Sequence, residues 1–244
     1  MDELAPLALT STPTAARPLM GLTVLAVEDS LYACEALRLL CMRSGARIRR
    51  ADCIASAKRH LQVYRPSVIL ADVGLPDGSG LDLIKYLSAL TPRINIILGL
   101  SGDDRMEKKV LAAGADGFLA KPIESIAQFQ EAILAHLPLD HRPAGLRALK
   151  DEYVTPDPIA YNNDLTQVAT LINEGYDERQ VAYVAQFVTG VAKSALDEAL
   201  VHAGEMLAIA HATRQPTHHL LGASSSASIG KWRSETKTSA SKTS

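Results

Sequence analysis

From Leu22 onward, short apolar runs alternate with stretches whose apolar residues recur at helical spacing. Residues 22–27 form an apolar run closed by Glu28-Asp29-Ser30 and predict a strand. Ala33, Leu37, Leu40 and Cys41 then mark one face of a helix that reaches Ser44 and ends at Gly45. Residues 46–50 read as a short edge strand, and residues 54–63 as a helix that stops ahead of Pro66. Residues 68–72 are apolar up to the final aspartate, the pattern of a strand buried on both faces of a parallel sheet. A Gly/Pro-rich loop follows, then a helix over 79–90 that stops before Pro92 and a strand over 94–100. Asp103 caps a helix running to Ala113, which Gly114 closes. A fifth strand over 116–120 and a helix over 123–137, stopped by Pro138, complete the series.

Five strand–helix units in roughly 120 residues predict a parallel sheet with helices on both faces and right-handed crossovers. The expected fold class is α/β, a flavodoxin-like doubly wound five-stranded sheet of order 2-1-3-4-5, followed by a small all-α region. That order sets the carboxyl ends of the first and third strands side by side at the topological switch point. Glu28, Asp29 and Asp72 are therefore expected to converge.

Beyond Leu137 the pattern changes. Residues 139–157 look like a linker broken by His141, Pro143, Gly145, Pro156 and Pro158, with room for a short helix over 145–153. Asp157-Pro158 resembles a helix start. Residues 159–174 then predict a helix with Leu165, Val168, Leu171 and Ile172 in one stripe, ended by Gly175. Asp177 opens a longer tract with Val181, Val184, Val188, Ala192, Ala195, Leu196, Ala199 and Leu200 on its apolar side; Gly190 and Gly204 are places for it to bend or split. A last piece spans 205–213, ahead of Pro216. Few helices rich in alanine make a poor independent core, so this region would gain by packing on the first domain or on a second copy. The expected organisation is a disordered leader (1–20), an α/β domain (21–138), a linker (139–157), a helical region (158–214) and a disordered Ser/Thr/Lys-rich tail (215–244).

Composition narrows the classes. Apolar residues make up 47% of the chain, ample for a core. No run approaches the roughly 20 apolar residues of a membrane span, and the N-terminal stretch lacks the pattern of a secretory signal. Cys34, Cys41 and Cys53 have no metal-ligand spacing and read as small core residues in a reducing compartment, so a cytoplasmic location is expected. A net charge of -2 argues against holding nucleic acid by bulk electrostatics. There is no basic recognition helix, which argues against a DNA-binding output, and no glycine-rich phosphate loop. His60, His136, His141, His202 and His211 form no metal-ligand grouping.

Three converging carboxylates repel unless a cation sits among them, and the hard, oxygen-preferring choice is Mg²⁺, or Mn²⁺ in its place. A carboxylate is also a nucleophile toward phosphorus. Ser101 at the end of the fourth strand offers a hydroxyl, and Lys121 at the end of the fifth offers an ammonium, both where an added phosphoryl group needs partners. Taken singly, Asp72 also reads as a loop-capping residue, Glu28-Asp29 as helix N-terminal charges and Phe118 as a core aromatic.

Residues 22–137 resemble the receiver domain of two-component response regulators. The resemblance rests on Val24-Leu25-Ala26-Val27-Glu28-Asp29-Ser30, on Asp72 with Pro76 and Gly80 behind it, on Ser101, and on Phe118-Leu119-Ala120-Lys121-Pro122. It implies Asp72 as phosphoacceptor, Glu28 and Asp29 as the acidic metal pair with the Val73 carbonyl as a further ligand, and Mg²⁺ as cofactor. It further implies Ser101 and Phe118 as the switch pair, Lys121 as the phosphoryl-pairing lysine, and a histidine kinase or histidine-phosphotransfer protein as donor. Two residues depart from the family's pattern: Gly74 is smaller than many residues found there, and Gly102 stands where Ala is frequent. The implied function is a phosphorylatable signalling protein, not an enzyme acting on an external substrate, whose helical C-terminal region works by contact with a partner or in a homodimer. Two alternatives stand beside it. His218-His219-Leu220-Leu221-Gly222 partly resembles the histidine-phosphotransfer signature, which would make the chain a relay between Asp72 and His218, although Leu221 stands where that family has Lys. A receiver-fold adaptor working without phosphorylation is the other.

Overall fold

A computed structural model describes residues 12–143, 152–173 and 178–213. Five strands, β1 (Thr23–Val27), β2 (Arg47–Ala51), β3 (Val68–Asp72), β4 (Ile96–Ser101) and β5 (Gly117–Ala120), form one parallel sheet of order β2-β1-β3-β4-β5. This is the doubly wound, flavodoxin-like order expected. Every residue of β3 and β4 is buried, as their unbroken apolar runs require, whereas β2 is exposed along most of its length, as an edge strand should be.

The two-residue period of the strands divides the core. Val24, Ala26, Leu70 and Leu98 face helices α1 (Leu31–Ser44) and α5 (Ile126–Leu134), meeting Leu37, Leu40, Phe129 and Ile133. Leu25, Ile69 and Ile97 face α2 (Ile54–Val63), α3 (Gly80–Ser88) and α4 (Glu107–Ala112), meeting Ala57, Leu83, Ile84 and Val110. Full burial of each large side chain is worth about 1.5–3 kcal/mol, so both faces contribute to holding the sheet. Local signals set the helix ends. The Ser30 hydroxyl accepts from Ala33 N at 3.0 Å, and Gly45 closes α1 at φ 86°.

Several boundaries differ from expectation. The helix after β4 opens as a 3₁₀ turn over Asp104–Met106, because the Asp103 carboxylate takes the Arg105 N–H, and its α-helical part begins only at Glu107. The last helix of the α/β domain is shorter than 123–137, starting where Ser125 caps it. Leu19, within the expected leader, is fully buried and donates its N–H to the Ser44 carbonyl at 2.9 Å. Within the expected linker, Val154 is buried in the α1/α5 core and bonds Glu124 O at 2.9 Å. The short helix expected over 145–153 falls almost wholly outside the described residues, as does the tail with His218.

Three helices follow: α6 (Pro158–Asn173), α7 (Glu178–Ser194) and α8 (Glu198–Ala212). The long tract splits at 195–197, not at Gly190 or Gly204. Asp197 caps α8 by accepting from Leu200 N at 3.0 Å, and Leu196 turns the chain at φ 56°. Leu196 is accordingly 73% exposed and not part of the apolar side. Gly204 serves packing instead: a Cβ there would lie 2.3 Å from Thr189 Oγ1, so its absence lets α7 and α8 close on each other. Residues 205–213 continue α8 and are no separate piece. Val181, Val184, Val188, Val191, Leu200 and Leu207 form the core of this hairpin.

Candidate functional site

The carboxyl ends of the strands carry the chemistry. β1 ends at Val27 and β3 at Asp72, and the two strands are in register through Val27 and Ala71. Glu28, Asp29 and Asp72 therefore leave the sheet together, each buried, with ligand oxygens all within 4.8 Å of one another. They are the one such cluster among the described residues. Arg50, on the neighbouring edge strand, fixes the loop by donating to the carbonyls of Glu28 (3.3 Å) and Asp29 (2.8 Å).

Lys121 follows β5 and reaches across: its Nζ lies 2.6 Å from Glu28 Oε2 and 3.1 Å from Asp72 Oδ1. The Lys121–Pro122 peptide is cis. Ser101, at the end of β4, is buried, and its Oγ accepts from Asp103 N at 3.1 Å. Next to Asp72, the Val73 carbonyl takes the Gly80 N–H at 2.9 Å, which leaves it one lone pair. Gly80 is required at this turn, since a Cβ would fall 1.8 Å from the Asp72 carbonyl oxygen.

Glu28, Asp29, Asp72, Val73, Ser101 and Lys121 all line one cavity of about 380 Å³. Phe118 does not line it; it lies in β5, half-buried against the α2–α4 side of the core.

Burial governs the electrostatics. Asp29 is pushed up to about 8 by desolvation and then by the Glu28 charge, with a hydrogen bond from Tyr183 pulling the other way. Asp72 is raised to about 7, again by burial first, with Lys121 opposing and Glu28 adding to the rise. At Lys121 burial alone would depress the ammonium, but Asp72 and Glu28 together outweigh it and hold the charge on. Three crowded carboxylates, two of them (Asp29 and Asp72) made reluctant to ionise, with oxygen donors only, suit a hard divalent cation, which would relieve the repulsion that one lysine leaves.

Four residues of the C-terminal helices join the site, and none is visible as a site residue in the sequence. Asp164 of α6 is fully buried and accepts from Ser30 Oγ (2.7 Å), Leu31 N (2.8 Å) and Tyr32 N (3.0 Å) at the start of α1. Tyr183 of α7 donates its hydroxyl to Asp29 Oδ2 at 2.5 Å, and Lys193 donates to the Gly102 carbonyl at 2.9 Å. Gln186 lies over Gly74, where a Cβ would meet its Nε2 at 2.1 Å. The only sequence signal was an acid, Asp164, beside Leu165 and in step with Val168 on the apolar stripe of α6. Among the described residues no helix is long and apolar enough to cross a membrane.

An open parallel sheet that gathers an acid cluster, a hydroxyl and a lysine at its switch point defines a flavodoxin-like domain with one acidic pocket at its carboxyl edge. Residues 24–133 match the family described as the response regulator receiver domain, and this segment is a receiver domain of two-component signalling. The KDP operon transcriptional regulatory protein KdpE of Escherichia coli is 29% identical over 157 residues, covering 64% of this chain and 65% of that protein. The transcriptional regulatory protein KdpE of Mycobacterium tuberculosis is 31% identical over 113 residues, covering 45% of this chain and 50% of that protein. The chain thus spans between half and 65% of the length of these curated relatives. Among solved structures, a CheY-like receiver domain from Methylobacillus flagellatus is 27% identical with a TM-score of 0.43, covering 48% of this chain and 98% of that one. The receiver domain of the histidine kinase PA1611 from Pseudomonas aeruginosa, with a magnesium ion coordinated in its active-site cleft, is 24% identical with a TM-score of 0.43, covering 48% and 97%.

Proposed function

We propose that this chain is a response regulator that accepts a phosphoryl group on Asp72 and signals through α6–α8 by protein contact. The observation that carries the reading is the convergence of Glu28 and Asp29 on Asp72, with Lys121 Nζ 3.1 Å from the acceptor carboxylate. Glu28, Asp29, Asp72 and the Val73 carbonyl would hold Mg²⁺, which when bound neutralises charge on the phosphoryl oxygens.

An Asp72 oxygen attacks phosphorus while the bond from phosphorus to the imidazole nitrogen of a phosphohistidine donor breaks. The donor belongs to a histidine kinase or a histidine-phosphotransfer protein. Lys121, already charged and desolvated, trades part of its pairing with Asp72 for the new phosphoryl oxygens. Ser101 turns its hydroxyl from Asp103 N toward the same group, and Phe118 moves into the space vacated, shifting the face of α4, β5 and α5 between two populations.

The output is a contact with a partner or a second copy: α8 leaves Met206 and Ile209 exposed. The test is labelling of the full chain with radioactive acetyl phosphate and Mg²⁺. A base-labile label is expected, absent in Asp72→Asn and lost with a chelator. Undiminished label in Asp72→Asn would refute the assignment.

A further inference from the structure

The chain carries its own obstacle to the reaction just described. α7 crosses directly above the acid cluster, and Ala182, Gln186, Thr189, Gly190 and Lys193 form the roof of the cavity into which Asp72 opens. Three contacts bring it there. The Tyr183 hydroxyl donates to Asp29 Oδ2 at 2.5 Å, so one oxygen of an acid in the cation-binding set is already engaged. Lys193 reaches the loop after β4 and donates to Gly102 O at 2.9 Å, beside Ser101. Gln186 fills the space over Gly74, two residues past the acceptor, which a side chain at 74 would contest.

The helix is also held from the side. Asp164 anchors α6 on the first turn of α1, and the Tyr161 and Tyr32 rings meet edge to face with centroids 5.7 Å apart. The Tyr161 hydroxyl donates to Asp197 Oδ2 at 2.9 Å, tying α6 to the turn between α7 and α8. Small residues keep the fit close: at Gly102 the position of a Cβ is 3.5 Å from Lys193 Cδ and 3.8 Å from Gly190 Cα. The space left beside Asp72 is a cavity of about 380 Å³ with α7 forming one wall, so a histidine presented on another protein must approach past that helix.

We propose that α7 is an intramolecular cover on the phosphoacceptor pocket, and that its docking opposes entry of the cation and the phosphoryl group. Tyr183 and Lys193 are the residues that set access. Coupling between two binding events is reciprocal. Loosening α7 must tighten cation binding, and filling the pocket must loosen α7. The cover rests on the assignment of Asp72 as acceptor, and the experiment separates the two.

The full chain is compared with Tyr183→Phe, which keeps the ring on Phe187 but removes the hydroxyl, and with Lys193→Met, which keeps the stem but removes the bond to Gly102 O. Calorimetric titration with Mg²⁺, run on all three proteins at several pH values, reads the affinity directly. Release of one charge-assisted hydrogen bond predicts Mg²⁺ binding about tenfold tighter in Tyr183→Phe, with a smaller gain in Lys193→Met. Hydrogen exchange in the unmodified chain should show amides of α7 losing protection when Mg²⁺ and acetyl phosphate are added together. Acetyl phosphate should label Asp72 faster in both variants. Equal Mg²⁺ affinities with unchanged α7 protection overturn the cover, and so does slower labelling in Lys193→Met, which would make Lys193 an aid to transfer. No label on Asp72 in any of the three proteins, at saturating Mg²⁺, defeats instead the assignment of the acceptor.

Discussion

Replacing Asp164 tests whether the C-terminal helices and the receiver form one structure. This carboxylate is fully buried and makes three hydrogen bonds, at 2.7, 2.8 and 3.0 Å, to the hydroxyl and two amides that open α1. A hydrogen bond to a charged group is worth about 1.5–3 kcal/mol, and leaving a buried donor unpaired costs about 1–3 kcal/mol. The three bonds share one acceptor, and water can reach the freed helix N-terminus, so they do not add fully. Asp164→Ala is therefore expected to cost about 3 kcal/mol, which for a chain of this size lowers Tm by roughly 6–12 °C. Asp164→Asn, which keeps one acceptor oxygen but not the charge, should lose about half of that. The assays are calorimetric melting and hydrogen exchange at Leu31 and Tyr32, whose amides should lose protection in Asp164→Ala. If α6–α8 detach before the receiver melts, the loss appears as an earlier separate transition. An unchanged melting profile with Leu31 and Tyr32 still protected would refute the idea that α6 is clamped onto α1.

Three further outcomes are expected from the geometry. Gly80→Ala places a Cβ 1.8 Å from the Asp72 carbonyl oxygen, so the acceptor loop must move; a loss of about 3 kcal/mol or more in urea unfolding is expected, together with loss of Asp72 labelling. Asp29 and Asp72, raised to about 8 and about 7, hold protons that the unfolded chain has already given up. Stability in chelator should therefore fall as pH rises from about 4 through about 8. Lys121, shifted upward, keeps its charge through that window, and Mg²⁺ should remove most of the fall, which melting curves against pH will show. Leu196 holds φ 56° at the α7–α8 turn with its side chain largely exposed, so Leu196→Gly should stabilise the hairpin by up to about 1 kcal/mol. No change, or a loss, in chemical denaturation would show that this turn carries no strain.

Much of the receiver was written locally. The unbroken apolar runs of β3 and β4, the serine before α1 and the glycine after it each state their own conformation, and the alternation of strand and helix implies the sheet. From strand order alone, Glu28, Asp29 and Asp72 had to meet, because residues at the ends of adjacent parallel strands are neighbours whatever their separation in sequence. Lys121 and Ser101 were legible for the same reason.

The cover was not. Tyr183, Gln186 and Lys193 sit on a helix whose periodicity identifies its buried side but not what it is buried against. Gly190 and Gly204 carried the signature of helix breakers, yet Gly204 is small because Thr189 passes 2.3 Å from where its Cβ would be, a fact about another helix. The break came instead at Leu196, where Asp197 could cap α8. Periodicity and caps are set by neighbours along the chain, and they fixed the sheet and its acid cluster. Whether a helix some 110 residues after Asp72 lies over that cluster depends on complementary shape and hydrogen bonds between surfaces brought together by folding, which only the tertiary structure decides.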